Sequence, residues 1–226
     1  MKVRLEWVYQ PVRGKKRMRF LSDYVTPEEA LFFYRDIERT GRVKSLEFYD
    51  ATGMQWLKKE LEKLVEQIET EPHAITAYFD GGHNRETHTA GLGTVIYYEK
   101  DGKSYRIRKN DRFEEIETNN EAEYAALWLL LLELEELEVH HTDITIKGDS
   151  QVVLNQLTGE WPTYEEHLNR WLDRIEEKLK TLGLTPNYIL IPRKENQEAD
   201  RLASQALEGT PIASHLTIDE KESGQN

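Results

Sequence analysis

Four acidic side chains stand where predicted strands and helices could combine them into a reactive site. Asp80 and Asp149 each end a predicted strand. Glu123 lies near the start of a predicted helix, and Asp200 near the start of the last one. Because open α/β sheets build their sites at strand ends, we expect these carboxylates to meet. Clustered carboxylates repel one another unless a cation joins them, and oxygen ligands suit hard divalent ions such as Mg²⁺, so the pattern predicts a metal site.

Acidic residues in a first helical turn also have a simpler interpretation as partners of the helix dipole. We give this interpretation to Glu121. It stays open for Asp200, which we nevertheless assign to the metal site. His83 is interpreted as a solvated loop residue, because a lone histidine after a strand is a weak indication of a site.

The elements that must position these carboxylates follow from hydrophobic periodicity and turn residues. Three strands in an antiparallel meander come first, and helices then alternate with strands. We predict strands at 75–80, 91–98, 104–109, 143–148 and 188–191, and helices from 118 to about 138 and at 150–157, 164–182 and 197–207. This order predicts an α/β fold with a five-stranded mixed sheet and helices on both faces.

A smaller α+β domain is predicted to precede it at residues 1–71. Its strands are predicted at 2–10, 18–25 and 43–49, and its helices at 27–39 and 55–69. The larger domain is predicted at residues 72–208. Residues 209–226 are polar and rich in turn residues, so we expect a flexible tail.

Four segments around the carboxylates resemble the signature segments of type I ribonuclease H, in the family's order. They read Tyr-Phe-Asp-Gly-Gly, Thr-Asn-Asn-Glu-Ala-Glu-Tyr, Gly-Asp-Ser-Gln-Val-Val and Glu-Asn-Gln-Glu-Ala-Asp-Arg-Leu-Ala. The resemblance covers roughly residues 74–207 and implies a ribonuclease H-like fold. It implies that Asp80, Glu123, Asp149 and Asp200 are catalytic and hold two Mg²⁺ ions, with Mn²⁺ as a substitute. The implied reaction is hydrolysis of the RNA strand of RNA–DNA hybrids, leaving 5′-phosphate and 3′-hydroxyl ends.

The resemblance also implies contacts with the nucleic acid near the cut. It assigns them to Gly82, Asn119, Asn120 and Gln151. Many relatives have a histidine in the loop before the last carboxylate, where this chain has Arg193. A guanidinium stays protonated near neutrality, so Arg193 is expected to contact substrate electrostatically and not to act as an acid–base group. The basic protrusion by which some relatives hold the hybrid is missing between the helices at 150–157 and 164–182.

Charge is distributed unevenly along the 226 residues. The net charge is −12, which by itself disfavours nucleic acid, but the first 20 residues contain 7 basic side chains and a single acidic one. Residues 71–226 carry −14. A predicted hairpin concentrates the basic residues, and we expect it to supply accessory nucleic-acid contacts through Arg13, Lys15, Lys16, Arg17 and Arg19. The simpler alternative is a solvated hairpin tip.

Composition limits the remaining possibilities. No cysteine occurs, so thiolate metal sites and disulfides are excluded, and no apolar stretch is long enough to span a bilayer. We therefore predict a cytoplasmic protein that binds RNA–DNA hybrid and no membrane, with protein partners that the sequence does not identify. Two alternatives stay open: a non-catalytic nucleic-acid-binding module of the same fold, and a nuclease for structured RNA or RNA–DNA junctions.

Overall fold

The computed structural model describes residues 1–218, which form two compact units. The first comprises Met1–Thr70, and the second begins at Glu71. Within residues 1–218, no helix combines the length and the apolar character that crossing a bilayer requires.

The first unit is a four-stranded antiparallel sheet with two helices. Its elements are β1 (Val3–Tyr9), β2 (Met18–Leu21), α1 (Pro27–Arg39), β3 (Val43–Asp50), β4 (Gln55–Trp56) and α2 (Lys58–Thr70), and the sheet order is β2-β1-β3-β4. Apolar side chains of β1, β3 and both helices form its core, among them Leu5, Leu31, Phe48 and Leu61.

Local hydrogen bonds explain where the elements of this unit begin. The hydroxyl of Thr26 accepts from the Glu29 amide, and the Glu29 carboxylate accepts from the Thr26 amide, so α1 starts with a capping box, at the position predicted. The predicted helix at 55–69 starts later, at Lys58, because Gln55 and Trp56 pair with β3.

The second unit contains a six-stranded mixed sheet in the order β10-β7-β6-β5-β8-β9. Its strands are β5 (His73–Asn84), β6 (Thr89–Lys100), β7 (Lys103–Glu114), β8 (Asp143–Gly148), β9 (Thr185–Leu190) and β10 (Ala213–Ile218). Its helices are α3 (Asn119–Glu136), α4 (Gln151–Leu157), α5 (Glu166–Leu182) and α6 (Gln197–Leu207). β5 to β7 form an antiparallel meander, and β8 and β9 add to it in parallel.

Helices cover both faces of this sheet, as the sequence predicts. Ala77 and Phe79 point into the main core with α3, α4 and α5. Tyr78 and Val95 point to the other face, where they pack near Leu202 of α6. Because side chains alternate along a strand, the two clusters lie on opposite sides of the sheet. The predicted mixed α/β architecture is therefore confirmed.

The larger sheet differs from the prediction at its two edge strands. The sheet has six strands and not five, because residues 213–218 of the predicted flexible tail form β10, paired with β7. Residues 219–226 of that tail lie outside the described residues. The strand predicted at 188–191 is β9, which begins earlier, at Thr185, and includes Pro186. A proline is tolerated there because β9 is an edge strand.

Candidate metal and nucleic-acid site

Three of the four predicted carboxylates lie together at one end of the larger sheet. Oxygen atoms of Asp80, Glu123 and Asp149 lie within 4.8 Å of one another. Asp80 and Glu123 are buried, and Asp149 is half-buried. Because the three come from separate elements, the tertiary fold assembles the cluster. A set of ligands made only of carboxylate oxygen suits Mg²⁺ or Mn²⁺.

Asp80 does not end its strand, contrary to the sequence-based prediction. β5 continues to Asn84 because it stays paired with β6 over that length. Its parallel pairing with β8, in contrast, stops at Tyr78. Asp149 directly follows the last residue of β8. Asp80 therefore lies beside the point where β8 ends, and this position brings it close to Asp149.

The first turns of α3 lie against β5 at Gly81. A β-carbon on Gly81 would lie 2.3 Å from the backbone carbonyl carbon of Ala122, so any larger residue would displace the helix. The Gly81 amide donates to Oε2 of Glu123 across 3.2 Å. The hydroxyl of Thr118 accepts from the Glu121 amide and caps α3. Glu121 thus takes part in the helix start and is absent from the three-carboxylate cluster.

Asp200 lies apart from the three clustered carboxylates and has a different partner. Its Oδ1 accepts from Nη2 of Arg193 across 2.7 Å, and the Arg193 side chain is 80% exposed. The negative charge of Asp200 nevertheless acts on Asp80, whose pKa it raises. The charge of Asp200 therefore acts on the cluster, and Arg193 contributes a positive charge next to Asp200.

Burial and mutual repulsion hold the pKa values of two of the acids above their ordinary range. The pKa of Asp80 is raised to about 7, first by burial and then by the charges of Asp149 and Asp200. Burial, followed by the charges of Asp80 and Asp149, raises the pKa of Glu123 well above its ordinary value. The positive charge of Arg193 opposes both shifts without cancelling them. A divalent cation would supply the compensating charge that this cluster needs.

Sequence reasoning missed one polar residue that contacts this site. Asn196 is 1% exposed, and its Nδ2 donates to Oδ1 of Asp149 and to the carbonyl oxygen of Phe79, each across 2.9 Å. The available indication was its position before α6, where asparagine usually caps the helix through its side chain. Here its side chain makes no cap hydrogen bond.

The residues predicted to contact nucleic acid lie close in sequence to the carboxylates. Asn119 and Asn120 begin α3, and Gln151 is the exposed first residue of α4, two positions after Asp149. Gly82 is half-buried and lies two residues after Asp80 in β5. Their contact with substrate stays a prediction.

The basic hairpin lies in the first unit, between β1 and β2. Arg13, Lys15 and Lys16 are exposed in the connecting turn, and no salt bridge involves them among residues 1–218. Nε of Arg17 donates to Gln10 across 3.0 Å. Arg19 is paired with the buried carboxylate of Glu6, so it offers less free charge than the other four.

Comparison with known proteins places these features in a family. A family model described as reverse transcriptase-like matches residues 78–206. Ribonuclease HI of Halobacterium salinarum is 36% identical over 135 residues, which are 59% of this chain and 64% of that protein. The chain belongs to the ribonuclease H family. The matched region includes all four carboxylates and nearly the whole fold from β5 to α6.

Solved structures of ribonucleases H extend the comparison to three dimensions. RNase H1 from Halobacterium salinarum is 35% identical with a TM-score of 0.53, and the match covers 60% of this chain and 98% of that one. An RNase H1 isolated from compost, solved in complex with RNA/DNA hybrid, is 26% identical with a TM-score of 0.54, covering 60% of this chain and 97% of that one. Much of this chain therefore lies outside what these ribonucleases H contain.

A longer match comes from Bacillus subtilis. The uncharacterized protein YpeP is 50% identical over 200 residues, which are 88% of this chain and 88% of that protein. A match of that length must include part of the first unit, because the second begins only at Glu71. The sequence similarity to YpeP thus extends beyond the second unit into the first.

Proposed function

We propose that this ribonuclease H is an active endonuclease that hydrolyses the RNA strand of RNA–DNA hybrids and leaves 5′-phosphate and 3′-hydroxyl ends. One observation carries the proposal: the three carboxylates within 4.8 Å of one another, two of which are buried and have raised pKa values. Such an arrangement costs stability in a protein without a cation. It becomes favourable when divalent metal binds, so it supports metal-dependent chemistry.

Each of the four acids has a proposed role at the metal. Asp80, Glu123 and Asp149 would hold Mg²⁺ directly, and Asp200 would complete the ligand set for a second ion. The two ions would supply an activated water and stabilise the leaving 3′ oxygen. Burial of Asp80 and Glu123 excludes bulk water from one side of the site. The guanidinium of Arg193, which is exposed beside Asp200, would contact a phosphate of the substrate.

Recognition of the RNA strand is proposed for the residues around the cluster. Amide side chains of Asn119, Asn120 and Gln151 offer both donors and acceptors to the groove and its 2′-hydroxyl groups. Gly82 would let the backbone approach the strand closely, because it has no side chain. The 2′-hydroxyl is the chemical group by which a protein distinguishes RNA from DNA.

The first unit is proposed to add affinity through its basic hairpin. Arg13, Lys15, Lys16 and Arg17 carry four positive charges on one short exposed turn, while residues 71–226 carry −14. Phosphate contacts by such a turn position a duplex without reading its sequence. A cytoplasmic location, compatible with the absence of cysteine, is part of the same proposal.

A cleavage assay on matched duplexes tests the proposed activity. The full chain is incubated with RNA–DNA, RNA–RNA and DNA–DNA duplexes of one sequence, with Mg²⁺ or Mn²⁺ or with chelator. We expect metal-dependent cleavage of the RNA strand of the hybrid. Cleavage of the RNA–RNA duplex alone would instead indicate a nuclease for structured RNA, and binding without cleavage of any duplex would indicate a non-catalytic module.

Asp149→Asn is the variant that connects this activity with the carboxylate cluster. We expect a loss of turnover on the order of 100-fold or more with hybrid binding preserved, because the change removes a metal ligand and leaves the phosphate contacts in place. Asp143→Asn is the matched control, since Asp143 is exposed at the opposite end of β8. Near-normal turnover of the Asp149→Asn protein would show that the metal site is assigned wrongly.

A further inference from the structure

Asn196 is a buried amide that connects the segments carrying three of the carboxylates. Its Nδ2 contacts Asp149 directly and Phe79, the residue before Asp80, through the backbone carbonyl. Its own backbone carbonyl oxygen accepts from the Asp200 amide across 3.0 Å. A single residue thus links β5, the end of β8 and the first turn of α6.

The orientation of this amide follows from its partners. A carbonyl oxygen and a carboxylate oxygen both accept hydrogen bonds, so the atom between them must be the NH₂ group. The Oδ1 of Asn196 consequently points elsewhere, and it is buried without a partner among residues 1–218. A buried oxygen that accepts no hydrogen bond lowers the stability of the folded protein. The side chain is therefore placed for its contacts with Asp149 and Phe79, even though this leaves its oxygen unpaired.

Asn196 also does not cap the start of α6 with its side chain. Asparagine is among the preferred residues before a helix because its side chain accepts from a free amide of the first turn. Asn196 precedes α6 without making that hydrogen bond. Both missing hydrogen bonds indicate that the carboxylate cluster, more than the helix, determines where this side chain lies.

We propose that Asn196 is a positioning residue that orients the Asp149 carboxylate toward the metal site. This proposal rests on the proposed function. With one Asp149 oxygen held by Nδ2, the carboxylate cannot rotate freely, and its second oxygen stays available to a cation. The link to Phe79 keeps Asp149 in register with Asp80. Contacts of this kind behind a metal ligand typically change metal affinity about 10- to 100-fold when removed.

The test measures Mn²⁺ binding to the full chain without nucleic acid, by calorimetry and by the electron paramagnetic resonance signal of free Mn²⁺. Asn196→Ser is the first variant, because serine is also a good helix-capping residue but its side chain is too short to make both contacts. We expect its Mn²⁺ affinity to fall about 10-fold or more and kcat to fall with little change in KM. Asn196→Asp should reduce the affinity further, because it places an acceptor against two acceptors.

Asn110→Ala is the matched control. Asn110 is also a buried asparagine whose Nδ2 donates to two carbonyl oxygens, those of Leu202 and Thr210, each across 3.0 Å. It contacts α6 at Leu202, two residues after Asp200, and its side-chain partners are backbone groups and not carboxylates of the site. We expect a reduced melting temperature with unchanged Mn²⁺ affinity.

The outcomes separate this proposal from the proposed function. If the wild-type protein binds Mn²⁺ and Asn196→Ser binds it equally well, positioning by Asn196 is overturned and the nuclease proposal stands. Equal reductions of affinity in the Asn196→Ser and Asn110→Ala proteins would also overturn it, because they would indicate general destabilisation. A wild-type protein that neither binds Mn²⁺ nor cleaves any duplex would overturn the proposed function itself.

Discussion

Asp80 is a buried acid whose raised pKa makes the stability of the folded protein sensitive to pH when no cation is bound. Its pKa of about 7 lies far above that of an aspartate in an unfolded chain, near 4. The folded protein therefore binds a proton on Asp80 more tightly than the unfolded chain does. Without metal, the stability that this proton provides is fully present below about pH 4, and it is lost as the pH rises toward 7.

Asp80→Asn should consequently stabilise the metal-free protein while abolishing cleavage. In chelator, we expect the variant to exceed the wild type in unfolding free energy by a margin that grows from about pH 5 to about pH 8, to on the order of a few kcal/mol. Thermal melts across that range measure the difference. Adding Mg²⁺ should raise the melting temperature of the wild type only. A margin independent of pH would contradict the raised pKa of Asp80.

A second prediction for a single residue concerns Arg193. A guanidinium stays protonated near neutral pH, and the pairing of Arg193 with Asp200 raises its pKa further. We expect Arg193→Ala to lower kcat by a similar factor from about pH 6 to about pH 9. Rates at saturating metal and hybrid measure this, with Lys194→Ala, a neighbour in the same turn, as the control. A limb of the pH profile near neutrality that disappears in Arg193→Ala would contradict this role.

Close packing of helices on the sheet keeps these residues in place. A β-carbon on Gly93 would lie 2.2 Å from the carbonyl oxygen of Ala199, and one on Gly91 would lie 2.0 Å from that of Ala203. Glycine at both positions therefore lets α6 lie directly on β6. Because α6 also carries Asp200, the depth of this packing determines how far that carboxylate stands from the cluster.

The basic hairpin makes a prediction at the level of one element. Changing Arg13, Lys15, Lys16 and Arg17 together to glutamine should weaken hybrid binding. The slope of log affinity against log salt concentration should become less negative by roughly one unit for each phosphate that the hairpin no longer neutralises. The matched control removes two arginines and two lysines from the helices of the same unit, at Arg35, Arg39, Lys59 and Lys63. Fluorescence anisotropy of labelled hybrid at several salt concentrations, with the Asp149→Asn background to prevent cleavage, measures both.

An equal reduction of affinity in the two quadruple variants would indicate that only net charge matters. If the hairpin variant kept the affinity and the salt slope of the wild type, the hairpin would be a solvated tip without a role in binding. Either result would remove the proposed accessory role of the hairpin.

The sequence predicts features that depend on neighbouring residues better than features that depend on contacts between distant segments. Helix limits set by local hydrogen bonds, such as the Thr26 capping box, could be predicted because sequence neighbours determine them. The extension of β5 past Asp80 and the early start of β9 at Thr185 could not, because they depend on pairing with other strands. The same applies to β10, which forms a strand by pairing with β7.

The site divides in the same way. The cluster of Asp80, Glu123 and Asp149 could be predicted because these residues and their surrounding segments are distinctive, whereas the assignment of Asp200 to the site stays a prediction. The hydrogen bonds of Asn196 could not be predicted, because its partners Phe79 and Asp149 are 117 and 47 positions away in the chain. The pairing of Arg19 with Glu6 could not be predicted either, because it depends on the register between β1 and β2.

The two units differ in net charge: the first is slightly positive, and the second is strongly negative. Residues 1–70 carry 14 basic and 12 acidic side chains, and the remainder carries −14. The four acids that we assign to the proposed site all lie in the second unit, which has its own large core. We therefore predict that a protein beginning at Glu71 folds and cleaves at saturating hybrid, with a raised KM and a flatter salt dependence of binding.

Circular dichroism and steady-state kinetics at several salt concentrations measure this prediction against the full chain. A truncated protein with the affinity and salt slope of the full chain would reassign the first unit to protein contacts or to stabilisation. Absence of a cooperative unfolding transition would show that the second unit needs the first in order to fold.

The last described strand, β10, protects one edge of the sheet in the second unit. β10 covers residues 104–109 of β7, which would otherwise present a row of unpaired amide and carbonyl groups at the border of the sheet. Exposed borders of this kind are templates for edge-to-edge pairing between molecules, which leads to aggregation. A shortened protein that ends with α6 would keep every carboxylate of the site and expose this border. We therefore expect β10 to protect the solubility of the second unit, so that the shortest chain with the four acids and the shortest chain that stays soluble differ.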